Sequence, residues 1–341
     1  MWCTLRVATA VGIPPLDGPS RRLDPGGAEA LRYVDAHGRE IADEEQLERI
    51  RALAIPPAWT EVRISPNARA KLQATGIDRA GRKQYLYHES FRAAQERAKF
   101  DRLLEFATAL PRLRSRTARH LRLGPYEHEW TCAVALGLVN KAWLRVGSDR
   151  HARRSRTYGV TTLRKRHVTV ADDRITVCFR GKNRALVKRT LRSAPLSDGV
   201  QALLDLPDGS RLFRFERDGE LADLTAPLLN AYISEHLGNG FTAKDFRTWG
   251  GTLLAAAELA RQPAPASEVE AKRALARVMR KVGRELGNTP AVARDSYVSP
   301  AVVDAFLDGR TLERYRRNGS GAKQLTLDER ALVGLLRAAR R

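Results

Sequence analysis

The stretch VTVADDRITVCFRGKNRALVKRT, residues 168–190, decides the fold class of this 341-residue chain. Turn residues separate short β-type runs, which predicts strands at Val168–Val170, Ile175–Phe179 and about Ala185–Thr190. Ala171-Asp172-Asp173 is typical of a hairpin turn, and Gly181-Lys182-Asn183 turns the chain again. We therefore predict a small three-stranded antiparallel sheet.

Helical patterns surround this sheet on both sides. Apolar residues at helical spacing predict one helix from about Glu89 to Pro111. A second helix is predicted from about Glu129 to Arg145, ending at Gly147. The arginine-rich stretch between them, Leu113–Arg122, is predicted to be a connector.

The C-terminal part of the chain carries four helix-start signals. Thr242 with Asp245, and Ser267 with Glu270, have the spacing of capping boxes. Thr289-Pro290 and Ser299-Pro300 each place an N-cap residue before a proline at the first helical position. These signals predict a mainly helical region around the sheet.

In the first 90 or so residues, the alternation of apolar and polar residues has a shorter period than in a helix. Ile55-Pro56-Pro57 breaks the chain, Glu61–Ile64 and Tyr85–Tyr87 alternate like strands, and a helix is expected at about Glu44–Leu53. We therefore predict an α+β protein with a small β-rich domain at residues 1–92. Residues 93–341 would form a larger, mainly helical domain that carries the three-stranded antiparallel sheet.

The charge of the chain points to a polyanionic partner. It has 60 lysines and arginines against 39 aspartates and glutamates, for a formal net charge of +21. Nucleic acid is the commonest polyanion, and the connector Leu113–Arg122 would then lie along DNA. The rival, an acidic membrane surface, would require a basic amphipathic helix with an aromatic apolar face, and none is convincing here.

The cysteines and the N-terminus favour a cytoplasmic protein. Cys3, Cys132 and Cys178 lie far apart without a CxxC pair, which suits a reducing compartment. Residues Met1–Ile13 lack the basic region and apolar core of a signal peptide. No apolar run reaches transmembrane length.

The sequence lacks the common motifs for nucleotide or metal chemistry. It has no GxxxxGK[ST] loop, no HExxH, no paired Cys/His ligands and no DxD pair, while Asp172-Asp173 fits a solvated turn. Without a metal, a phosphodiester reaction needs arginines for the charge of the transition state, a nucleophile and an acid for the leaving oxygen.

Position narrows the candidates for these roles. Arg145 is predicted to end a helix, Lys182 lies in a glycine-led turn, and Arg247 lies in the second turn of the helix that begins after Thr242. Tyr297 ends a short helix. Each residue taken singly also fits an ordinary structural role, so spacing alone does not select them.

Seven segments, in order along the chain, resemble type IB DNA topoisomerases of the bacterial and poxviral kind. Two of them resemble the N-terminal DNA-clamping domain of that family and five its catalytic domain. They are Ile55-Pro56-Pro57-Ala58-Trp59, Gly81-Arg82-Lys83-Gln84-Tyr85-Leu86-Tyr87, Trp143-Leu144-Arg145-Val146-Gly147, the stretch from Tyr158 to Val168, Phe179-Arg180-Gly181-Lys182, the stretch from Lys244 to Gly250, and Gly287-Asn288-Thr289-Pro290 with Tyr297.

The resemblance implies a role for each candidate. Tyr297 would attack the scissile phosphorus, Arg145 and Arg247 would hold the non-bridging oxygens, and Lys182 would protonate the departing 5′-oxygen. Asn288 stands where poxviral members have histidine, and its amide would donate to a non-bridging oxygen without bringing charge.

The resemblance also implies the partners. Gln84, Tyr85 and Tyr87 would face DNA from the first domain, and Lys244 would contact a backbone phosphate. An ordinary strand with cross-strand packing is the alternative for the first three. We expect a monomer that acts on double-stranded DNA with no cofactor, no metal and no membrane partner.

Two other functions remain open at this stage. A tyrosine recombinase would share the nucleophile, but recombinases usually begin the motif of the second arginine with histidine, where this chain has Lys244. All seven histidines lie at or before His236. A non-catalytic DNA-binding protein of this fold is the other alternative, and the intact set of five candidates argues against it.

Overall fold

The computed structural model describes residues 20–23, 31–35, 37–207, 209–238, 240–316 and 324–340. The expectations for Met1–Ile13 and Cys3 lie outside these residues. The chain divides into two compact units, Met1–Ala98 and Lys99–Arg341. The fold is α+β, as the sequence predicts.

The first unit is built on an antiparallel five-stranded sheet with the order β2-β1-β3-β4-β5. Helix α1 carries a side-chain cap, since Asp43 accepts a hydrogen bond from the amide of Gln46. The core consists of apolar side chains of the sheet and of α1, among them Ile50, Val62 and Ile64. The predicted strands and helix of this region are confirmed. The elements are β1 Ser20–Leu23, β2 Leu31–Val34, α1 Glu44–Ala52, β3 Thr60–Ile64, β4 Leu72–Ile77 and β5 Lys83–Tyr87.

Helix α2 corrects the prediction of a connector. It runs without interruption from Glu89 to His120 and contains Pro111. Leu110 and Leu113 are buried in the core of the second unit, and Arg114 forms an ion pair of 2.7 Å with Glu329. The prediction of a separate connector at Leu113–Arg122 was wrong, because burial on both sides of the proline outweighs the one backbone hydrogen bond that proline cannot make.

The described residues of the second unit form ten further α-helices around two small sheets. Its elements are α3 His128–Ala142, α4 Asp149–Ser155, β6 Val168–Ala171, β7 Arg174–Arg180, β8 Leu186–Arg192, α5 Ala194–Asp205, β9 Arg214–Arg217, β10 Glu220–Asp223, α6 Ala226–Leu237, α7 Ala243–Ala260, α8 Glu268–Leu286, α9 Pro290–Tyr297, α10 Pro300–Leu307, α11 Leu312–Arg316 and α12 Leu327–Ala338.

The three-stranded sheet has the order β6-β7-β8 and is antiparallel throughout. Val168 pairs with Val177, and Phe179 pairs with Val187. Asp172 adopts a left-handed backbone with φ of 53° in the first turn, a conformation that aspartate tolerates better than most residues. The predicted strands and turns are confirmed.

Helix α3 ends earlier than predicted. It stops at Ala142, and Trp143 adopts a left-handed conformation with φ of 50°. Arg145 therefore lies in the following loop, not at the helix end. That loop is held in place by two backbone hydrogen bonds of 2.8 Å, from Val160 to the carbonyl of Arg145 and from Thr161 to that of Val146. The local pattern missed this end because tertiary contacts of Trp143 set it.

Helix α7 lies at the centre of the second unit. It packs against α3, α6 and each of α8 to α12, and most of its residues are buried. The predicted capping box is present, since Thr242 and Asp245 bond reciprocally. Ser267 and Thr289 also cap their helices through their side chains. Ser299 precedes α10 without a side-chain cap to a described residue.

Candidate active site

Arg247 is the most deeply buried cation among the predicted site residues. Helix α7 places it in the protein interior with 4% of its surface exposed. Its Nη1 donates to the carbonyl of Trp143, and its Nη2 donates to the carbonyl of Leu286 at 2.8 Å. Its Nε is buried and has no partner among the described residues. Two different loops therefore fix the orientation of this guanidinium.

Arg145 approaches the same region from the loop after α3. Its Nη2 donates to the carbonyl of Gly287 at 3.0 Å and to Oδ1 of Asn288 at 2.7 Å. Asn288 in turn donates from Nδ2 to the carbonyl of Leu286 at 3.3 Å. The amide orientation of Asn288 follows from its neighbours, because its oxygen meets a guanidinium and its nitrogen meets a carbonyl. The carbonyl of Leu286 thus joins Asn288 to Arg247.

Tyr297 ends α9 with its side chain against Arg247. The guanidinium carbon of Arg247 lies 5.0 Å from the ring centroid of Tyr297. Burial tends to raise the pKa of Tyr297, but the charge of Arg247 and a hydrogen bond to it outweigh burial. Arg145 and Lys244 act in the same direction, and the net pKa lies below the ordinary value of 10.0. The phenolate is therefore easier to form here than on a free tyrosine.

The backbone of Tyr297 is fixed by residues of α7 that the sequence analysis did not select. Thr252 donates from Oγ1 to the carbonyl of Tyr297 at 3.0 Å and accepts from the amide of Ser299 at 3.2 Å. A Cβ on Gly251 would lie 2.9 Å from the carbonyl oxygen of Tyr297, closer than side chains tolerate. The only sequence signal for this contact is the Gly250-Gly251 pair.

Gly250 likewise allows a close approach, here of the loop that carries Arg145. A Cβ at this position would lie 2.2 Å from Nε1 of Trp143. Because glycine leaves this space open, the indole packs directly on α7. The carbonyl of Trp143 then reaches Arg247.

Lys182 is placed differently from the arginines. It is exposed in the short 3-10 turn Lys182–Arg184, where Asn183 and Arg184 both have a φ of 59°. The turn lies between β7 and β8, and Lys182 lines the same pocket as Arg145 and Arg247. The side chain of Lys182 makes no hydrogen bond or ion pair to a described residue.

Desolvation and the neighbouring phenol shift the pKa of the two arginines in opposite directions. Desolvation lowers the pKa of Arg247 to about 10, and the neighbouring phenol partly opposes that shift. Desolvation also lowers the pKa of Arg145, again opposed by Tyr297. Fixed cations in a partly desolvated pocket interact with an anion far more strongly than cations in water do.

The remaining predicted residues are distributed as follows. Lys244 is exposed on the first turn of α7, close enough to affect the pKa of Tyr297. In the first unit, Tyr85 is 41% exposed and its ring stacks on that of Tyr87 at 6.3 Å. Gln84 points to the opposite face of β5, where it donates to Asp78 at 2.8 Å. The structure therefore groups the two tyrosines and separates Gln84 from them.

The described residues contain no candidate for either a cluster of metal-ligating side chains or a membrane-spanning helix. No group of three or more His, Cys, Asp or Glu side chains within it is arranged to hold a metal ion. None of the helices described is both long and apolar enough to cross a bilayer.

The site thus combines two hydrogen-bonded arginines, an exposed lysine and a tyrosine with a lowered pKa. Comparison with known families narrows the class. Residues 88–308 match the model of the eukaryotic DNA topoisomerase I catalytic core, and residues 30–78 match that of the bacterial DNA topoisomerase IB N-terminal domain.

Curated relatives agree with these matches. The chain is 33% identical over 300 residues to DNA topoisomerase 1B of Acanthamoeba polyphaga mimivirus, covering 86% of each protein. It is 22% identical over 284 residues to DNA topoisomerase 1B of Vaccinia virus (strain Western Reserve), covering 80% of this chain and 85% of the relative. DNA topoisomerase I of Monkeypox virus is 21% identical over 278 residues, with the same coverage. The chain belongs to the type IB DNA topoisomerases and is a DNA-binding enzyme.

Proposed function

We propose that this enzyme relaxes supercoiled DNA by cutting one strand, allowing rotation and resealing the strand, through a 3′-phosphotyrosyl intermediate at Tyr297. The observation that carries the proposal is the packing of the Tyr297 ring against the Arg247 guanidinium, 5.0 Å from the ring centroid, together with the lowered pKa of Tyr297. A phenol is a weak nucleophile unless a cationic pocket favours its phenolate form.

We propose the first step from the family motifs in which these side chains stand. Tyr297 loses its proton to water, and its phenolate oxygen forms a bond to the scissile phosphorus while the bond from phosphorus to the 5′-oxygen breaks. Lys182 gives that oxygen a proton, because an alkoxide is a poor leaving group. In resealing, Lys182 takes the proton from the 5′-hydroxyl, the bond from phosphorus to the 5′-oxygen forms again, and Tyr297 leaves as the phenolate and regains a proton from water.

Arg145 and Arg247 are the residues that would stabilise the charge on the non-bridging oxygens. Their contacts to backbone carbonyls hold the guanidiniums in place before the substrate arrives, so little reorganisation is needed in the transition state. Asn288 uses one Nδ2–H on Leu286. We assign its other N–H to a non-bridging oxygen.

Neither ATP nor a metal ion has a role in this proposal. The phosphodiester bond energy is kept in the link between DNA and Tyr297, so resealing needs no external energy. The side-chain cations supply the positive charge that a metal would otherwise bring.

We assign contacts with double-stranded DNA to three further groups. Tyr85 and Tyr87 are the partly exposed aromatic pair of the first unit. Gln84 is included from the family pattern, although its amide is occupied by Asp78. Lys244 is assigned to a backbone phosphate near the catalytic pocket. The enzyme would act as a monomer.

A plasmid assay tests the proposal. The purified enzyme is expected to relax supercoiled plasmid in EDTA without ATP, and Tyr297→Phe should abolish relaxation while salt-sensitive DNA binding remains. The variant Tyr126→Phe, which alters an exposed tyrosine outside the pocket, serves as the control and should keep full activity. Relaxation by Tyr297→Phe, or a requirement for Mg²⁺ or ATP, would contradict the mechanism. Strand exchange between two duplexes would instead indicate a recombinase.

A further inference from the structure

The C-terminal end of α8 is the point at which the arginines of the pocket meet. The helix ends at Leu286, and Gly287, the capping residue that follows, has a left-handed φ of 60°. The carbonyls of the last helical turn lack the full set of partners that carbonyls inside a helix have. They also carry the negative end of the helix dipole, which attracts cations.

Arg189 is a cation of this pocket to which neither the sequence motifs nor the proposed reaction gives a role. It lies on β8, and its side chain is 25% exposed. Its Nη2 donates to the carbonyls of Arg284 at 3.0 Å and Glu285 at 2.5 Å. It lines the same pocket as Arg145, Lys182 and Arg247.

Three guanidiniums thus hold four consecutive carbonyls. Arg189 takes the carbonyls of residues 284 and 285, Arg247 takes that of residue 286, and Arg145 takes that of residue 287. The charges repel one another, and the charge of Arg189 contributes to the lowered pKa of Arg247. The shared helix end offsets this repulsion, because each cation is bonded to the negative end of the dipole.

We propose that Arg189 is a positioning residue of the cleavage reaction, which fixes the last turn of α8 and, through the carbonyls of Leu286 and Gly287, the orientation of Arg247 and Arg145. The inference rests on the proposed phosphotyrosyl mechanism. It differs from a direct phosphate contact by Arg189, because the Nη2 of this residue is already committed to two carbonyls.

The geometry of Arg189 suggests the decisive variant. Arg189→Lys keeps the positive charge but loses the planar group in which Nη1 donates to the carbonyl of Lys188 while Nη2 donates to those of Arg284 and Glu285. We expect single-turnover cleavage of a duplex at saturating enzyme to slow about tenfold in Arg189→Lys and further in Arg189→Met, since small misplacements of catalytic groups cost rate. DNA affinity and its salt dependence should stay within about twofold for Arg189→Lys, because the charge remains.

A matched control lies on the same strand. Arg192 is 63% exposed and faces Asp173 at 3.8 Å, away from the end of α8. Arg192→Lys should leave the cleavage rate unchanged. Thermal unfolding of each variant shows whether the fold is intact at the assay temperature.

A double-mutant comparison separates positioning from other roles. If Arg189 acts through Arg145, the rate penalty of Arg189→Lys should shrink in an Arg145→Ala background, because coupled residues are not additive. Wild-type cleavage by Arg189→Lys would overturn the proposal, as would fully additive penalties. An effect on affinity alone, with an unchanged rate at saturation, would show a direct DNA contact instead. Failure of the wild-type enzyme to form any covalent complex would refute the proposed function itself, independently of Arg189.

Discussion

Arg247 and Lys182 line the same pocket, yet the protein holds them in opposite ways. Arg247 is 4% exposed and bonded to two backbone carbonyls, whereas Lys182 is exposed on a turn without a side-chain partner among the described residues. Stabilising charge in a transition state requires fixed, desolvated donors. Delivering a proton requires a group that can reach the leaving oxygen. The difference therefore separates the two tasks that the proposed reaction sets.

The largest effect on the cleavage rate is expected from removing Arg247, the buried and hydrogen-bonded residue of this pair. Arg247→Ala should slow single-turnover cleavage about 10³-fold, since it removes a donor for the phosphate and the main cation beside Tyr297. Because Arg247 lowers the pKa of Tyr297, its loss should also move the rise of the cleavage rate with pH to higher pH. The measurement is the rate of covalent complex formation as a function of pH.

The control for this experiment is Arg247→Lys. It keeps a charge next to Tyr297 but cannot hold both carbonyls in the same plane. Its pH profile should stay closer to that of the wild type than the profile of Arg247→Ala, while its rate remains reduced. An unshifted profile in Arg247→Ala would refute the electrostatic role.

The proposed role of Lys182, the exposed residue of the pair, is tested by changing the leaving group of the substrate. Lys182→Ala should slow cleavage of ordinary DNA about 10²-fold, the usual contribution of a general acid. A substrate whose 5′ leaving group is a thiolate should restore most of the rate, because a thiolate leaves without a proton. Lys188→Ala, which alters an exposed lysine of β8, should behave as the wild type on both substrates. Absence of rescue would assign Lys182 to DNA binding or to structure.

The smallest effect on the cleavage rate is expected at Asn288, which accepts a hydrogen bond from Arg145 and shares the carbonyl of Leu286 with Arg247. Asn288→Ala should slow cleavage about tenfold, because the carbonyl of Gly287 still holds Arg145 after its one hydrogen bond to the Asn288 amide is lost. Asn288→His should retain more activity than Asn288→Ala, since imidazole can donate to the same oxygen. The rates under identical single-turnover conditions decide between these outcomes. A loss in Asn288→Ala as large as that in Arg247→Ala would show that the ranking is wrong.

The parts of the fold that local chemistry controls could be predicted from the sequence. The sheet of β6, β7 and β8 follows from strand-type runs between turn residues, and the cap at Thr242 follows from the spacing to Asp245. These signals involve residues within a few positions of each other. The hydrogen bonds that satisfy them are also local.

Two predicted helix ends, those of α2 and α3, were wrong because long-range packing sets them. Pro111 indicated the end of a helix, but α2 continues because Leu110 and Leu113 are buried and Arg114 pairs with Glu329, 215 positions away in the chain. The helix α3 ends at Ala142 because Trp143 packs on Gly250. Neither contact has a local signal.

The sequence by itself determined the class of protein and the side chains proposed for the chemistry, because Arg145, Lys182, Arg247, Asn288 and Tyr297 stand within motifs that the family shares. Only the tertiary structure decided how these groups are held. The arginines bind backbone carbonyls at the end of α8, and every residue contributes a carbonyl whatever its side chain. Such bonds have no sequence signal, and only the fold brings Arg189 of β8 to the carbonyls at that helix end.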